Sequence, residues 1–182
     1  MNNINWNQIY KHGASYTPIS EIVLDLLKLK GSTALDIGCG AGDLLGQLIK
    51  RGFSVTGVDL SDVAIKKAQE KHPGTYMVGD FMSVAFGTKF DLIFINKVLA
   101  FAKDKQAFVD KAISLLNDNG KIVIVTPVLR PEYHKNYSAR LKSISVDMRE
   151  LEAIMPDGWT QIDRRYFEDY GEELTIIFDI TL

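Results

Sequence analysis

At 182 residues the chain has the length of one typical domain, and its 46% hydrophobic and 24% charged residues exclude a disordered, collagen-like or solenoid protein. Its 21 Lys and Arg against 23 Asp and Glu leave a net charge of −2, without the basic excess that DNA or an anionic membrane selects, so neither is expected as a partner. The lone cysteine, Cys39, permits no internal disulfide, Met1 to Gly13 is polar, and no run approaches the ~20 apolar residues of a membrane span, which together predict a soluble, cytoplasmic, single-domain protein over 1–182.

From residue 18 onward, strand-like runs alternate with segments of helical periodicity, the pattern of a parallel sheet covered by helices on both faces. Ile19, Ile22, Val23, Leu26 and Leu27 form an apolar helix stripe that Gly31 closes, and Ala34 to Ile37 follows as the first strand. A helix carrying Leu44, Leu45, Leu48 and Ile49 ends at Arg51-Gly52, ahead of a second strand, Phe53 to Val58. Ser61 or Asp62 caps the next helix, which His72-Pro73-Gly74 breaks. Thr75 to Val78 and Phe90 to Ile95 read as strands three and four. Asp104 opens a helix with the stripe Val109, Ala112, Ile113 and Leu116, and the turn Asn117 to Gly120 leads into a fifth strand, Lys121 to Thr126. The alternation pauses across Pro127 to Ser145, the place for loop-borne specificity. Helical spacing returns over Ser145 to Met155, and two strands, Thr160 to Phe167 and Glu173 to Leu182, close the chain around Tyr170-Gly171.

The informative segment joins the first strand to its helix: Asp36-Ile37-Gly38-Cys39-Gly40-Ala41-Gly42-Asp43. Glycines there permit a tight turn and close approach of a ligand to the main chain, although glycine turns also serve plain packing. Counting from Gly38, the third glycine of a dinucleotide fingerprint falls on Asp43, so that motif fails. Asp36 and Asp43 would repel a pyrophosphate, and the loop suits a cationic ligand. Asp59 ends strand two, where a carboxylate can accept both hydroxyls of a ribose or else serve as a helix cap. Asp80 ends strand three and is either a turn residue or an acceptor for an adenine amino group, with Leu60 and Phe81 as apolar contacts to the ring.

Taken together, Asp36-x-Gly38-x-Gly40-x-Gly42, Asp59 and Asp80 resemble the cofactor site of the class I, Rossmann-like S-adenosylmethionine-dependent methyltransferases. The resemblance implies a doubly wound, mostly parallel α/β sheet of seven strands in the order 3-2-1-4-5-7-6, strand seven antiparallel, with helices on both faces. It implies S-adenosylmethionine as cofactor and S-adenosylhomocysteine as product. It also implies a cofactor site formed by Asp36, Gly38, Cys39, Gly40, Gly42, Asp59, Leu60, Asp80, Phe81 and Asn96, with Gly38, Gly40 and Asn96 toward the methionine part.

Methyl transfer from a sulfonium chiefly requires alignment of the nucleophile, so no catalytic residue is assigned. Asn96-Lys97-Val98-Leu99 differs from the Asn/Asp-Pro-Pro-aromatic stretch of base amino methyltransferases. Cys39 is expected to pack rather than react, the scattered His12, His72 and His134 predict no metal, and a phosphate loop is absent. The expected acceptor is a small molecule, with an anionic or aromatic one suggested by Arg130, Lys135, Arg140 and Lys142 interleaved with Tyr133, His134 and Tyr137. These lie in a candidate acceptor-side lid over 129–145, where His134 could accept a proton. An N-terminal lid over 1–17 would bring Tyr10 and Tyr16 to the cofactor. The alternatives are a non-catalytic binding protein on the same fold and, disfavoured by the acidic loop, a nicotinamide oxidoreductase.

Overall fold

Eight strands and seven helices account for the residues described in the structure, a computed structural model that covers 4–13, 19–129, 139–167 and 171–179. The strands are β1 (Thr33–Ile37), β2 (Ser54–Asp59), β3 (Thr75–Val78), β4 (Phe90–Asn96), β5 (Leu116–Leu129), β6 (Val146–Asp147), β7 (Thr160–Phe167) and β8 (Gly171–Asp179). The helices are α1 (Trp6–Lys11), α2 (Glu21–Leu26), α3 (Asp43–Lys50), α4 (Asp62–Lys71), α5 (Lys105–Ser114), α6 (Ala139–Ile144) and α7 (Met148–Ile154), with a 3-10 turn, η1, at Leu99–Phe101. None of the described helices is long and apolar enough to cross a membrane.

The sheet runs β3-β2-β1-β4-β5-β8-β7, and β6 pairs with the end of β5. Strands β1 to β5 are mutually parallel, whereas β8 is antiparallel to both β5 and β7. The expected seven strands are therefore corrected to eight, because the chain returns as the two-residue β6 before α7. Strand order reverses between β1 and β4, so their carboxyl ends flank the crevice where open α/β sheets bind ligands.

Alternation along β4 sends side chains to two cores. Leu92 and Phe94 meet Val23 and Leu24 of α2, Leu44, Leu45 and Leu48 of α3, and Ile65 of α4. Ile93 and Ile95 meet Phe108, Val109 and Ala112 of α5 and Leu151 of α7. A strand buried on both faces has no polar side to alternate with, which is why Phe90 to Ile95 reads as a nearly continuous apolar run. Asp104 and Ser61 cap α5 and α4 through the N–H groups of Ala107 and Ala64.

Several local expectations are corrected. Of the predicted α2 stripe, Ile19, Val23 and Leu27 are buried but Ile22 and Leu26 are 73% and 57% exposed, and Leu24 takes their place. The helix begins only after its cap, Ser20, so Ile19 lies outside it and the buried face is rotated. Asn117 to Gly120 is an irregular start to β5, not a separate turn: Phe90 aligns with Leu116 and Leu92 with Lys121, so extra residues loop out around Asn119 at φ 60°. Pro127 to Ser145 is not wholly irregular, since β5 continues to Leu129 and α6 occupies Ala139–Ile144. Tyr16, Arg130, Tyr133, His134, Lys135 and Tyr137 lie outside the described residues, whereas Arg140 and Lys142 belong to α6.

At the amino edge of the sheet, Asp91 ties three strands together. Its Oδ2 accepts from the N–H groups of Ser32 (2.7 Å) and Thr33 (3.0 Å) and from both hydroxyls, and its Oδ1 accepts from Asn117 Nδ2 at 2.7 Å. These donors, the Ser32 N–H foremost, hold the carboxyl below the ordinary range.

Candidate functional site at the carboxyl edge

Between β1 and α3 the chain turns through Gly38, Gly40 and Gly42 at φ values of 74°, 53° and 82°, a left-handed conformation that side chains rarely adopt. Space imposes the same requirement. A Cβ on Gly38 would collide with Val98, which follows β4, and one on Gly40 would stand 2.5 Å from the Tyr10 hydroxyl.

The loop's N–H groups are largely committed within the protein. Gly38 and Cys39 both donate to the Val58 carbonyl (2.7 and 3.1 Å), Gly42 donates to the Cys39 carbonyl (3.0 Å), and Gly40 donates to Asp59 Oδ2 (2.9 Å). A phosphate-binding loop keeps such groups for the ligand.

Acceptors, in contrast, remain at this edge. Asp36, at the end of β1, is 2% exposed, and its Oδ1 has no partner among the described residues. Burial, reinforced by the nearby Asp59, pushes its carboxyl well above the ordinary range. Asn96, ending β4, likewise holds a buried Oδ1 without a partner among the described residues. By strand alternation both residues fall on the face of Leu92 and Phe94.

Asp59 is shared between fold and site. Its carboxylate accepts main-chain N–H groups, Oδ2 from Gly40 and Oδ1 from Ser61 (2.8 Å), with the Leu60 N–H also acting on it, which does not exhaust the roughly four lone-pair sites of a carboxylate. Burial raises its carboxyl despite those bonds. The helix cap itself is Ser61, so Asp59 is not the cap of α4. Cys39 is buried with its sulfur against Gly57, where an added Cβ would stand 2.7 Å away, and burial pushes its thiol far up. That thiol is a packing group and not a nucleophile.

At the end of β3, Asp80 Oδ1 accepts the Met82 N–H at 2.9 Å, and the Asp80 carbonyl accepts from Ser83 and Val84. The Phe81 ring is committed to the core, 5% exposed, with centroids 4.7 Å from Phe108 and 5.8 Å from Phe86. The exposed apolar surface here comes instead from Leu60, Val78 and Met82. Val78 is aligned with Asp59 across the β2/β3 pair. Sequence reasoning named Leu60 and missed the other two, because Val78 reads as an ordinary strand residue and Met82 as part of a turn.

Helix α1 crosses this edge. Asn7 Oδ1 accepts from the Ser61 hydroxyl (2.6 Å), Lys67 of α4 donates to the Tyr10 carbonyl (2.6 Å), and Trp6 packs edge-on against Phe101 of η1 with centroids 5.1 Å apart. Tyr10 is thereby buried with its hydroxyl at Gly40. Helix α6 lies beside η1. Among the described residues, no group of three or more His, Cys, Asp or Glu could hold a metal ion.

A family model described as a methyltransferase domain matches residues 28–171. The ubiquinone biosynthesis O-methyltransferase of Coxiella burnetii is 32% identical over 138 residues, 72% of this chain and 56% of that protein. Trans-aconitate 2-methyltransferase of an Enterobacter species is 31% identical over 128 residues, 67% of this chain and 51% of that protein. The chain thus spans about half the length of the curated relatives it matches. The fold is similar to that of the N-methyltransferase NodS from Bradyrhizobium japonicum, solved with S-adenosyl-l-homocysteine: the TM-score is 0.68 at 20% identity, over 87% of this chain and 85% of that one. It is also similar to that of magnesium protoporphyrin IX methyltransferase from Synechocystis with bound S-adenosylhomocysteine, with a TM-score of 0.67 at 18% identity, over 87% and 80% of the two chains.

Proposed function

The chain belongs to the methyltransferase-domain family, and from that premise we propose that it binds S-adenosylmethionine at the carboxyl edge and transfers the methyl group to a small-molecule acceptor. The observation that carries this reading is the polarity of the edge. The loop N–H groups of Gly38, Cys39, Gly40 and Gly42 are committed, while Asp36, Asn96 and Asp59 keep oxygen acceptors. A matching ligand must bring donors and positive charge and no phosphate. S-adenosylmethionine offers an ammonium, a sulfonium, two ribose hydroxyls and an adenine amino group.

In this arrangement Asp59 receives the ribose hydroxyls on its remaining lone pairs while its bond to Gly40 fixes the loop. Asp36, Asn96 and the main chain of Gly38 to Gly42 take the methionine end, and Cys39 fills the space behind them. Asp80 receives the adenine amino group, and the main chain at Phe81 with Leu60, Val78 and Met82 forms the apolar surround. Helix α1 closes the N-terminal side, with Tyr10 against Gly40. Bound cofactor supplies a methyl group on a good leaving group, so the chain's part is to align the acceptor and keep water out.

The acceptor approaches beside η1 and α6, where the positive charge of Arg140 and Lys142 favours an anionic or aromatic molecule. The relative named ubiquinone biosynthesis O-methyltransferase supports an oxygen nucleophile. The test is transfer of label from methyl-tritiated S-adenosylmethionine to a panel of phenols and carboxylic acids. Label should move to an anionic or aromatic member of the panel. Label that stays on the cofactor across the whole panel, in a protein that binds S-adenosylhomocysteine, would favour a non-catalytic binding protein.

A further inference from the structure

Lys111 lies in the middle of α5, outside the apolar stripe of that helix, yet its ammonium is turned inward and fully used. It donates to the carbonyls of Phe81 (2.6 Å), Met82 (3.1 Å) and Val84 (2.8 Å), which match the three donors an ammonium owns. The rings of Phe81 and Phe86 flank it, with centroids 5.0 and 5.8 Å from Nζ. A lysine that gives up its water for three carbonyls of one short loop fixes the peptide planes of that loop.

The fixed planes have a directional consequence. In a trans peptide the carbonyl and the N–H point opposite ways, so drawing the Phe81 carbonyl onto Lys111 turns the Met82 N–H away from it. That N–H is the donor held by Asp80 Oδ1 at 2.9 Å. Drawing the Met82 carbonyl onto Lys111 likewise turns the Ser83 N–H outward, and it meets the Asp80 carbonyl at 2.8 Å. We propose that Lys111 is a positioning residue of the adenine end, orienting the Asp80 carboxylate through the peptide between Phe81 and Met82. The inference rests on the cofactor placement above and adds to it a residue from a different helix, 31 positions downstream of Asp80. Burial lowers the ammonium's proton affinity while Asp80 sustains it, in keeping with a charge held between loop and carboxylate.

The test is calorimetric titration with S-adenosylhomocysteine and with S-inosylhomocysteine, whose base carries a carbonyl in place of the adenine amino group. Wild type, Lys111→Met, Asp80→Asn and the double variant are compared. Lys111→Met should weaken S-adenosylhomocysteine by about tenfold, the scale of one hydrogen bond to a charged group, and S-inosylhomocysteine by less than about threefold. Added to Asp80→Asn, it should cost less than about twofold more, because both substitutions break one chain of contacts. Lys111→Arg keeps the charge but cannot donate to three carbonyls from one atom, and should fall between. If Lys111→Met does not fold, Lys111→Gln gives the same comparison with two amide donors in place. Equal weakening of both ligands, or additive losses in the double variant, would overturn the positioning role and leave Lys111 a loop brace. If Asp80→Asn leaves S-adenosylhomocysteine affinity unchanged, the adenine placement itself fails, and the Lys111 inference with it.

Discussion

The two edges of the central sheet treat the same side chain in opposite ways. At the amino edge, Asp91 is surrounded by donors from Ser32, Thr33 and Asn117 and its carboxyl is held down. At the carboxyl edge, Asp36 is more deeply buried, keeps an oxygen without a partner among the described residues, and has its carboxyl pushed up by burial and by Asp59. A saturated carboxylate ties strands together, whereas an unsatisfied buried one costs stability that only another group can return. The amino edge is thus tied together by a saturated carboxylate, whereas the carboxyl edge retains acceptors without partners among the described residues.

Substitutions should separate the two edges. The largest expected effect on stability is at the amino edge: Asp91→Ala strands the donors that hold β1, β4 and β5 and should cost about 3 kcal/mol, lowering the melting temperature by about 6–12 °C. S-adenosylhomocysteine affinity should stay within about twofold, and a large loss of affinity would blur the division. Asp59→Ala should do the reverse, weakening S-adenosylhomocysteine by about 1.5–3 kcal/mol while costing about 1 kcal/mol of stability through the Gly40 and Ser61 N–H groups. Unchanged affinity in a folded variant would make Asp59 a purely structural bridge.

Stability against pH sharpens the contrast. The Asp91 carboxyl is lowered on folding, so its contribution is present above the unfolded value of about 4 and is lost as pH falls through the folded value. The Asp36 carboxyl is raised on folding, so its contribution is full below about 4 and is lost as pH rises through the folded value. Melting temperatures from pH 3 to 8 should show Asp91→Asn losing most at neutral pH. Asp36→Asn should gain on wild type as pH rises, and parallel curves for the two variants would refute the asymmetry. The smallest effect concerns Asp43, whose carboxylate pairs with Lys71 at 2.9 Å on the surface: Asp43→Asn should change stability by less than about 1 kcal/mol.

Legibility from sequence followed the same division. The alternation of strands and helices, the glycine loop and the carboxylates at the ends of β1, β2 and β3 stand in local sequence, because strand period and turn chemistry are local. The commitment of the loop N–H groups to Val58 and Asp59, the burial of the Phe81 ring and the reach of Lys111 into the loop after β3 are tertiary, and no spacing announces them. Strand β6 escaped for a related reason: two residues are too few to show a period. The exposure of Ile22 and Leu26 shows a limit of the helical stripe, since a helix that starts two residues later than the stripe turns a different face inward.

The measurement that bears most directly on the account is a side-by-side calorimetric titration of the folded protein with S-adenosylhomocysteine and with NAD. An edge that offers acceptors and uses most of its glycine-loop N–H groups internally should bind the first saturably, at one site per chain, and the second at least about tenfold more weakly, a difference of ~1.4 kcal/mol or more. NAD binding as tightly as S-adenosylhomocysteine, or no S-adenosylhomocysteine binding at all, would contradict it.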